Sequence, residues 1–279
     1  MRTLRLTKHH GQGNDFLVLL DPDDRQRLDP AAVRFLCDRH AGVGADGVIR
    51  VTRVDPGDDG AVLGMELSNA DGSTAEMSGN GVRCLAQAAV AAGLTSGPTF
   101  VVRTLAGPRS VTVVPGEEAG TAEVSVDMGA ARLGAEANDR SLADVLPEAA
   151  WRARTVCVGN PHLVLLLPDL HGVELARAGA AAQDVYDGGI NVEMIAPGPA
   201  ADELVLRVWE RGVGETLACG TGSCAAAVVA REWGIVGDRV RVHNPGGTLE
   251  IGLNGSRVSL SGPVRRICAV EVEVEVEVS

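Results

Sequence analysis

The chain reads as two α+β domains of related sequence with an active site in the cleft between them. Three observations predict that class: a long internal repeat, strand-like segments that outnumber helical ones, and one long helical run in each repeat. The repeat is clearest at two glycine-flanked turns, Met77-Ser78-Gly79-Asn80-Gly81 and Ala218-Cys219-Gly220-Thr221-Gly222, which stand 141 positions apart (219 − 78). Asn69 to Gly81 aligns without gaps on Glu210 to Gly222, and Gly93 precedes Gly234 by the same 141 residues. Upstream, Gly13-Asn14-Asp15-Phe16-Leu17-Val18-Leu19-Leu20 matches Gly159-Asn160-Pro161-His162-Leu163-Val164-Leu165-Leu166 at an offset of 146. Downstream, Arg103 to Gly107 parallels His243 to Gly247 between strand-like segments. A period this long exceeds the roughly 20–50 residues of solenoid repeats and implies two copies of a domain. Residues 1–120, completed by a C-terminal strand over 265–279, make the first copy, and 121–264 the second.

The elements follow in order. Arg2 to Lys8 alternates apolar and polar residues and Phe16 to Leu20 is continuously apolar, so both are strands around the turn His10-Gly11-Gln12-Gly13-Asn14. Asp29 as N-cap and Pro30 in the first turn start a helix that runs to about His40. Val48 to Val54 and Met65 to Ser68 are strands, and the second delivers Asn69-Ala70-Asp71-Gly72 to a loop leading to Ser78. From Gly79 to Gly93 the residues Val82, Leu85, Ala86, Ala89 and Val90 keep helical spacing. Strands at Phe100 to Arg103 and Ser110 to Val114 follow, and the second copy begins near Thr121. It has strands around Val156 and Leu163 to Leu167, a helix near Leu175 to Ala182, and strands at Val192 to Ile195 and Leu204 to Trp209. The Cys219 turn and its helix come next, then strands near Val240 and Leu249. The Val-Glu alternation from Ala269 to Ser279 has one apolar and one acidic face, as an edge strand completing a sheet would.

At 279 residues and 45% hydrophobic content, each copy can bury its own core. The longest apolar stretch, near Leu163 to Leu167, has the length of a buried strand and is far too short to cross a bilayer. Met1 to His10 lacks the apolar region of a secretory signal, and the six cysteines form neither a disulfide-dense framework nor a Cys-x-x-Cys metal pattern. A cytoplasmic location is expected, with no membrane partner. A formal charge of −12 disfavours nucleic acid, whose binding needs clustered Lys and Arg, so the expected partner is a small molecule. Lys8 is the only lysine, which argues against pyridoxal phosphate, and no cofactor or metal is expected. A homodimer is the assembly state to consider.

Gly42-Val43-Gly44-Ala45-Asp46-Gly47 satisfies G-x-G-x-x-G, yet a helix precedes it and a strand follows. The dinucleotide fingerprint needs the reverse order, so a tight loop is the better reading. The paired turns pass the same kind of test. A residue just before Gly-x-Gly at a helix start lies against unpaired N–H groups and the positive end of the helix dipole. For Cys219 this predicts a thiol lowered from about 8.5 towards neutrality. The same N–H groups can hold a substrate carboxylate without an arginine. Two such helix ends gripping one carboxylate would present a side chain to each face of the attached carbon, which suits stereoinversion by two-sided proton transfer. Cys37, Cys157 and Cys268, with Cys84 and Cys224 inside the helices, are read as packing residues. Ser78 also reads as a plain N-cap.

These residues resemble a known family. His10 to Phe16, Asn69-Ala70-Asp71-Gly72-Ser73, Gly79-Asn80-Gly81-Val82-Arg83-Cys84, Gly159-Asn160-Pro161-His162, Glu210 to Thr216 and Ala218 to Cys224 together look like diaminopimelate epimerase, and the resemblance covers nearly the whole chain. It implies two pseudo-symmetric domains, each a mainly antiparallel sheet around a long central helix. It also implies a cofactor-independent isomerase of lysine and peptidoglycan precursor biosynthesis that interconverts LL- and meso-2,6-diaminopimelate through a thiol and thiolate pair. By that resemblance Cys219 and Ser78 occupy the catalytic positions, with serine where the family has cysteine. His162 and Glu210 resemble the groups that assist them. Gly79, Asn80, Gly220 and Thr221 would hold the reacting carboxylate. Asn14, Asn69, Asn160, Asn191, Glu210 and Arg211 would contact the rest of the substrate, although each asparagine alone also suits a turn.

A serine hydroxyl is a far weaker acid than a thiol, and a helix terminus worth at most about 2 kcal/mol does not bring it near neutrality. Three readings stay open: a natural serine and cysteine pair, a catalytically impaired Cys-to-Ser form that binds substrate, and a related amino-acid racemase or one-base dehydratase. Outside this chemistry stand a silent amino-acid binding protein and a hydrolase using Cys219 and His162.

Overall fold

Local chemistry starts and stops each element. In the computed structural model, which describes residues 2–136 and 152–274, β1 (Arg2–Gly11) and β2 (Asn14–Leu20) form a hairpin closed by Gln12 and Gly13, both at positive φ. Helix α1 (Pro30–Cys37) begins where Asp29 accepts the Ala32 N–H. It stops three residues short of the predicted His40, because the Asp38 carboxylate takes the His40 and Ala41 N–H groups and turns the chain out of the helix. The loop at 42–46 then folds back on α1, with Val43 and Gly44 donating to the Leu36 carbonyl, so the G-x-G-x-x-G run is a helix-ending loop.

After β3 (Gly47–Arg53) and β4 (Leu63–Asn69), a two-residue strand β5 (Thr74–Ala75) occupies the stretch predicted as loop. Helix α2 (Gly79–Ala91) follows, then β6 (Thr99–Thr104), β7 (Gly107–Pro115) and β8 (Thr121–Ala130). The second series is β9 (Arg132–Glu136), β10 (Arg152–Cys157), β11 (Pro161–Leu166), α3 (Leu175–Val185), β12 (Asn191–Pro197), β13 (Glu203–Glu210) and β14 (Gly214–Thr216). Helix α4 (Gly220–Glu232), β15 (Arg239–Asn244), β16 (Gly247–Asn254) and β17 (Arg257–Val274) complete it. The Val-Glu segment is the end of β17, whose register Arg2↔Val274 to Thr7↔Ala269 lays it along β1; residues 275–279 lie outside the described part. Among the described residues no helix is long and apolar enough to cross a membrane.

The chain divides into two units, Met1–Val126 with Gly262–Ser279, and Asp127–Ser261. Both use one pairing scheme. In the first, β2–β3 and β4–β6 are parallel while β1–β2, β3–β4 and β6–β7 are antiparallel. In the second, β11–β12 and β13–β15 are parallel while β10–β11, β12–β13 and β15–β16 are antiparallel. Each parallel pair requires a crossover, supplied by α1 and α2 in one unit and by α3 and α4 in the other.

The long helices carry most of the burial. Residues Gly79 to Ala89 of α2 are all buried, and the helix packs on β1, β2, β3, β4 and β7. In α4, Gly220 to Ala230 are all buried, and the helix packs on β10 to β13, β15 and β16. Glycine and alanine side chains let strands approach from several sides, and alanine keeps the helix favourable at the same time.

Candidate active site

The predicted residues collect into two half-sites, one in each unit. In the first, Ser78 is the N-cap of α2 with β-region backbone, and its Oγ accepts the Gly81 N–H at 3.1 Å. Beside it the Asn80 Nδ2 donates to Asn14 Oδ1 at 3.2 Å, and Asn80 Oδ1 accepts from the fully buried Arg83. Arg83 also donates to Gln12 Oε1 and the Pro263 carbonyl, fixing the β1–β2 turn against the helix start.

Asn14 is held from its other side by Asp46, which accepts from Asn14 Nδ2 at 2.7 Å and from the Asp15 N–H. Arg39 bridges Asp46 and Asp15, and Lys8 pairs with Asp15. The Asp46 carbonyl takes the Ala70 N–H, which ties in the turn bearing Asn69. Asn69 itself donates to Ser73 Oγ, so it does have the local turn role open to it. Asp46 therefore organises this half-site from inside the glycine loop at 42–47.

In the second half-site, Cys219 is the N-cap of α4, and its sulfur accepts the Gly222 N–H at 3.4 Å with Thr221 Oγ1 also at 3.4 Å. The geometry repeats that of Ser78. The acidity does not follow the prediction: burial pushes the Cys219 thiol well above its ordinary range, and the carboxylates of Glu210 and Glu193 push it further. The Thr221 and Gly222 hydrogen bonds pull the other way and do not win. A helix end worth at most about 2 kcal/mol is outweighed when the sulfur is buried beside two acids.

Glu210 is raised as well, first by burial, while hydrogen bonds with Thr216 and Cys219 work against the rise. The Thr216 hydroxyl donates to Glu210 Oε1 at 2.6 Å. The sulfur and this carboxyl are thus hydrogen-bonded neighbours, and burial makes both resist ionisation.

His162 sits in strand β11 and is fully buried. Its Nδ1 is 2.7 Å from Glu193 Oε1 and its Nε2 2.8 Å from Asn160 Oδ1. A carboxylate only accepts, so Nδ1 carries the proton towards Glu193. Glu193 lies in the largely apolar run Asn191-Val192-Glu193-Met194-Ile195, whose pattern marks a buried strand and carries no sign of a site. Asn191 Nδ2 donates to the Pro161 carbonyl and its Oδ1 accepts the Arg211 N–H. The Arg211 guanidinium reaches the Gly188 carbonyl at 3.1 Å.

Of the remaining cysteines, Cys37, Cys84 and Cys224 are buried as packing residues are, with burial raising Cys84 to about 12 and Cys37 to about 11, whereas Cys157 and Cys268 are only half-buried.

Solved structures share this fold at low identity. A Bacillus anthracis phenazine biosynthesis protein of the PhzF family matches with a TM-score of 0.73 at 14% identity, covering 98% of this chain and 100% of its own. A hydroxyproline epimerase from Agrobacterium vitis, solved with bound trans-4-hydroxy-L-proline, matches at 0.69 and 15% identity, covering 98% of this chain and 91% of its own. Sequence relatives are much closer. The diaminopimelate epimerase of Mycolicibacterium paratuberculosis is 40% identical over 293 residues, 98% of each chain. That of Corynebacterium glutamicum is 38% identical over 285 residues, 98% of this chain and 99% of its own. The family described as diaminopimelate epimerase matches residues 6–134 and 154–267, and the chain belongs to that family.

Proposed function

We propose that the protein epimerises LL-2,6-diaminopimelate to meso-2,6-diaminopimelate without a cofactor, by proton transfer at both faces of Cα. The observation that carries this reading is the repeated helix start, with Ser78 and Cys219 in the same capping geometry, each at a helix N-terminus whose dipole suits a carboxylate. In this reading each unit is a mainly antiparallel sheet around its long helix, α2 or α4, and the two units are pseudo-symmetric copies. Gly79, Asn80, Gly220 and Thr221 hold the α-carboxylate. Asn14, Asn69, Asn160, Asn191 and Arg211 select the distal amino-acid end.

Cys219 carries its proton at rest, so it begins as an acid towards the carbon. It becomes a base when its proton is passed to Glu210, whose raised affinity makes it a fitting acceptor. On the other face Ser78 has no comparable acidity. Its hydroxyl donates or relays slowly, so Cα exchange at the Cys219 face outruns inversion.

The experiment is incubation with LL-diaminopimelate in D₂O, followed by NMR of the Cα proton and chromatography of the isomers. Loss of the Cα proton with slower appearance of the meso form is expected, and Ser78→Cys should raise inversion at least tenfold. Absence of exchange in both the protein and the Ser78→Cys form overturns the reading.

A further inference from the structure

The two half-sites share a backbone but not a foundation. In the second unit β11 and β12 run parallel with His162 opposite Asn191; in the first, β2 and β3 run parallel with Phe16 opposite Gly47. Two residues further along, Glu193 and Ile49 occupy corresponding places. The correspondence is confirmed at the helix starts: a Cβ added at Gly222 would lie 2.7 Å from Glu193 Oε1, and one added at Gly81 would lie 3.2 Å from the Ile49 Cδ1. Where one half-site has the pair His162 and Glu193, the other has Phe16 and Ile49, both buried and apolar.

Glu193 is fully buried and only one of its oxygens is employed. Oε1 faces His162 Nδ1, while Oε2 is buried and has no hydrogen-bond partner among the described residues. An ionisable group in that condition is costly and needs a reason. We propose that Glu193 is a positioning residue that orients His162 beneath the start of α4 and confines the proton-handling apparatus to the Cys219 half-site. This inference rests on the epimerase reading for its kinetic consequence but not for its chemical one.

The groups around the Cys219 sulfur are Glu210 of β13 and Glu193 of β12, with the Thr221 hydroxyl and Gly222 N–H on α4 itself. His162 of β11 acts on Glu210. Of the other charged residues on the strands packed against α4, Arg154 pairs with Glu232 and Arg152 lies over Trp233, both at the far end of the helix, and Glu203 pairs with Arg241 and His243. Glu193→Gln therefore removes one of the two acidic neighbours of the thiol.

The test compares Glu193→Gln and Glu193→Asp with the parent by two measurements. The first is the pH midpoint of Cys219 carboxamidomethylation, followed at its own peptide by mass spectrometry. It should move to lower pH in Glu193→Gln, which keeps the volume and loses the charge, and stay near the parent value in Glu193→Asp. The second is steady-state epimerisation: kcat should fall at least tenfold in Glu193→Gln with KM changed less than threefold, and Glu193→Asp should recover part of it. If Glu193→Gln does not fold, Glu193→Asp decides alone, since its shorter reach should lower kcat while the thiol midpoint holds. Unchanged midpoint and unchanged kcat, with only a lower melting temperature, overturn the proposal. A parent and Ser78→Cys form that exchange no Cα proton defeat the epimerase reading instead, and the thiol titration still judges Glu193.

Discussion

Single residues here act through their neighbours more than through their own chemistry. Asp46 touches no predicted substrate contact except by holding Asn14, Asp15 and Arg39 in one cluster. Asp46→Ala should release the Asn14 amide and raise KM for diaminopimelate about tenfold, with a smaller change in kcat, since a binding group loses its orientation while the proton-transfer groups keep theirs. Steady-state kinetics check this, and an unchanged KM would count against Asn14 as a substrate contact. Asp15 belongs to the same cluster and predicts a pH effect. Although burial opposes it, hydrogen bonds from Arg39 and Lys8 draw its carboxyl down to about 2. A group whose pKa is lower folded than unfolded stabilises the protein above its unfolded value, about 3.9, and the gain disappears as pH falls towards 2. The contribution is on the order of 2 kcal/mol. Denaturant midpoints at pH 5 and pH 3 should therefore differ less in Asp15→Asn than in the parent.

At the scale of elements, α2 and α4 have the same length and the same capping geometry, yet their starts tolerate different changes. In Gly81→Ala the new methyl meets the Ser78 Cβ and the flexible ends of Ile49 and Met65 at 3.1–3.2 Å, contacts that can yield by a few tenths of an ångström. A better helix former then offsets the crowding, and stability should change by less than about 1 kcal/mol. In Gly222→Ala the methyl meets Glu193 Oε1 at 2.7 Å, so the carboxylate must leave His162 Nδ1 or the helix must shift. That variant should lose most epimerase activity and about 2 kcal/mol or more of stability. Paired melting curves and exchange assays distinguish the two, and equal tolerance would mean that the helix starts are supported alike.

Both helices were legible in the sequence because an N-cap, a Gly-x-Gly and an alanine-rich helical run act locally and point the same way. Strands β5 and β14 were not, since two or three residues carry no period. Glu193 and Asp46 were hidden for another reason: their roles depend on which strands pair in parallel, a tertiary fact that no local pattern encodes. The acidity of Cys219 was misjudged on the same ground. The dipole could be read from the sequence; burial beside Glu210 and Glu193 could not.

At the scale of the whole chain, the first unit is finished only by its last described strand. Ala269–Val274 of β17 pairs with Arg2–Thr7 of β1, and Val274 joins the core cluster of Leu4, Leu6, Leu17, Leu19, Val33 and Leu36, against which Val270 and Val272 also pack. A Val side chain fully buried contributes about 1.5–3 kcal/mol, and β1 would lose its pairing along six residues with it. The second unit has a separate core built from Leu163, Leu165, Leu167, Val192 and Met194, to which none of these residues belongs. A chain ending at Cys268 should therefore lose amide protection in β1, β2 and α1 while β11 and β12 keep theirs, as read by hydrogen exchange and mass spectrometry. Cys219 and His162 would remain on a stable unit, so carboxamidomethylation of Cys219 should keep its pH midpoint while epimerisation falls with the Asn14 and Ser78 half-site. Loss of protection in both units to the same extent would show that the two cores fold as one cooperative body, and the repeat would then be a record of sequence duplication without energetic independence.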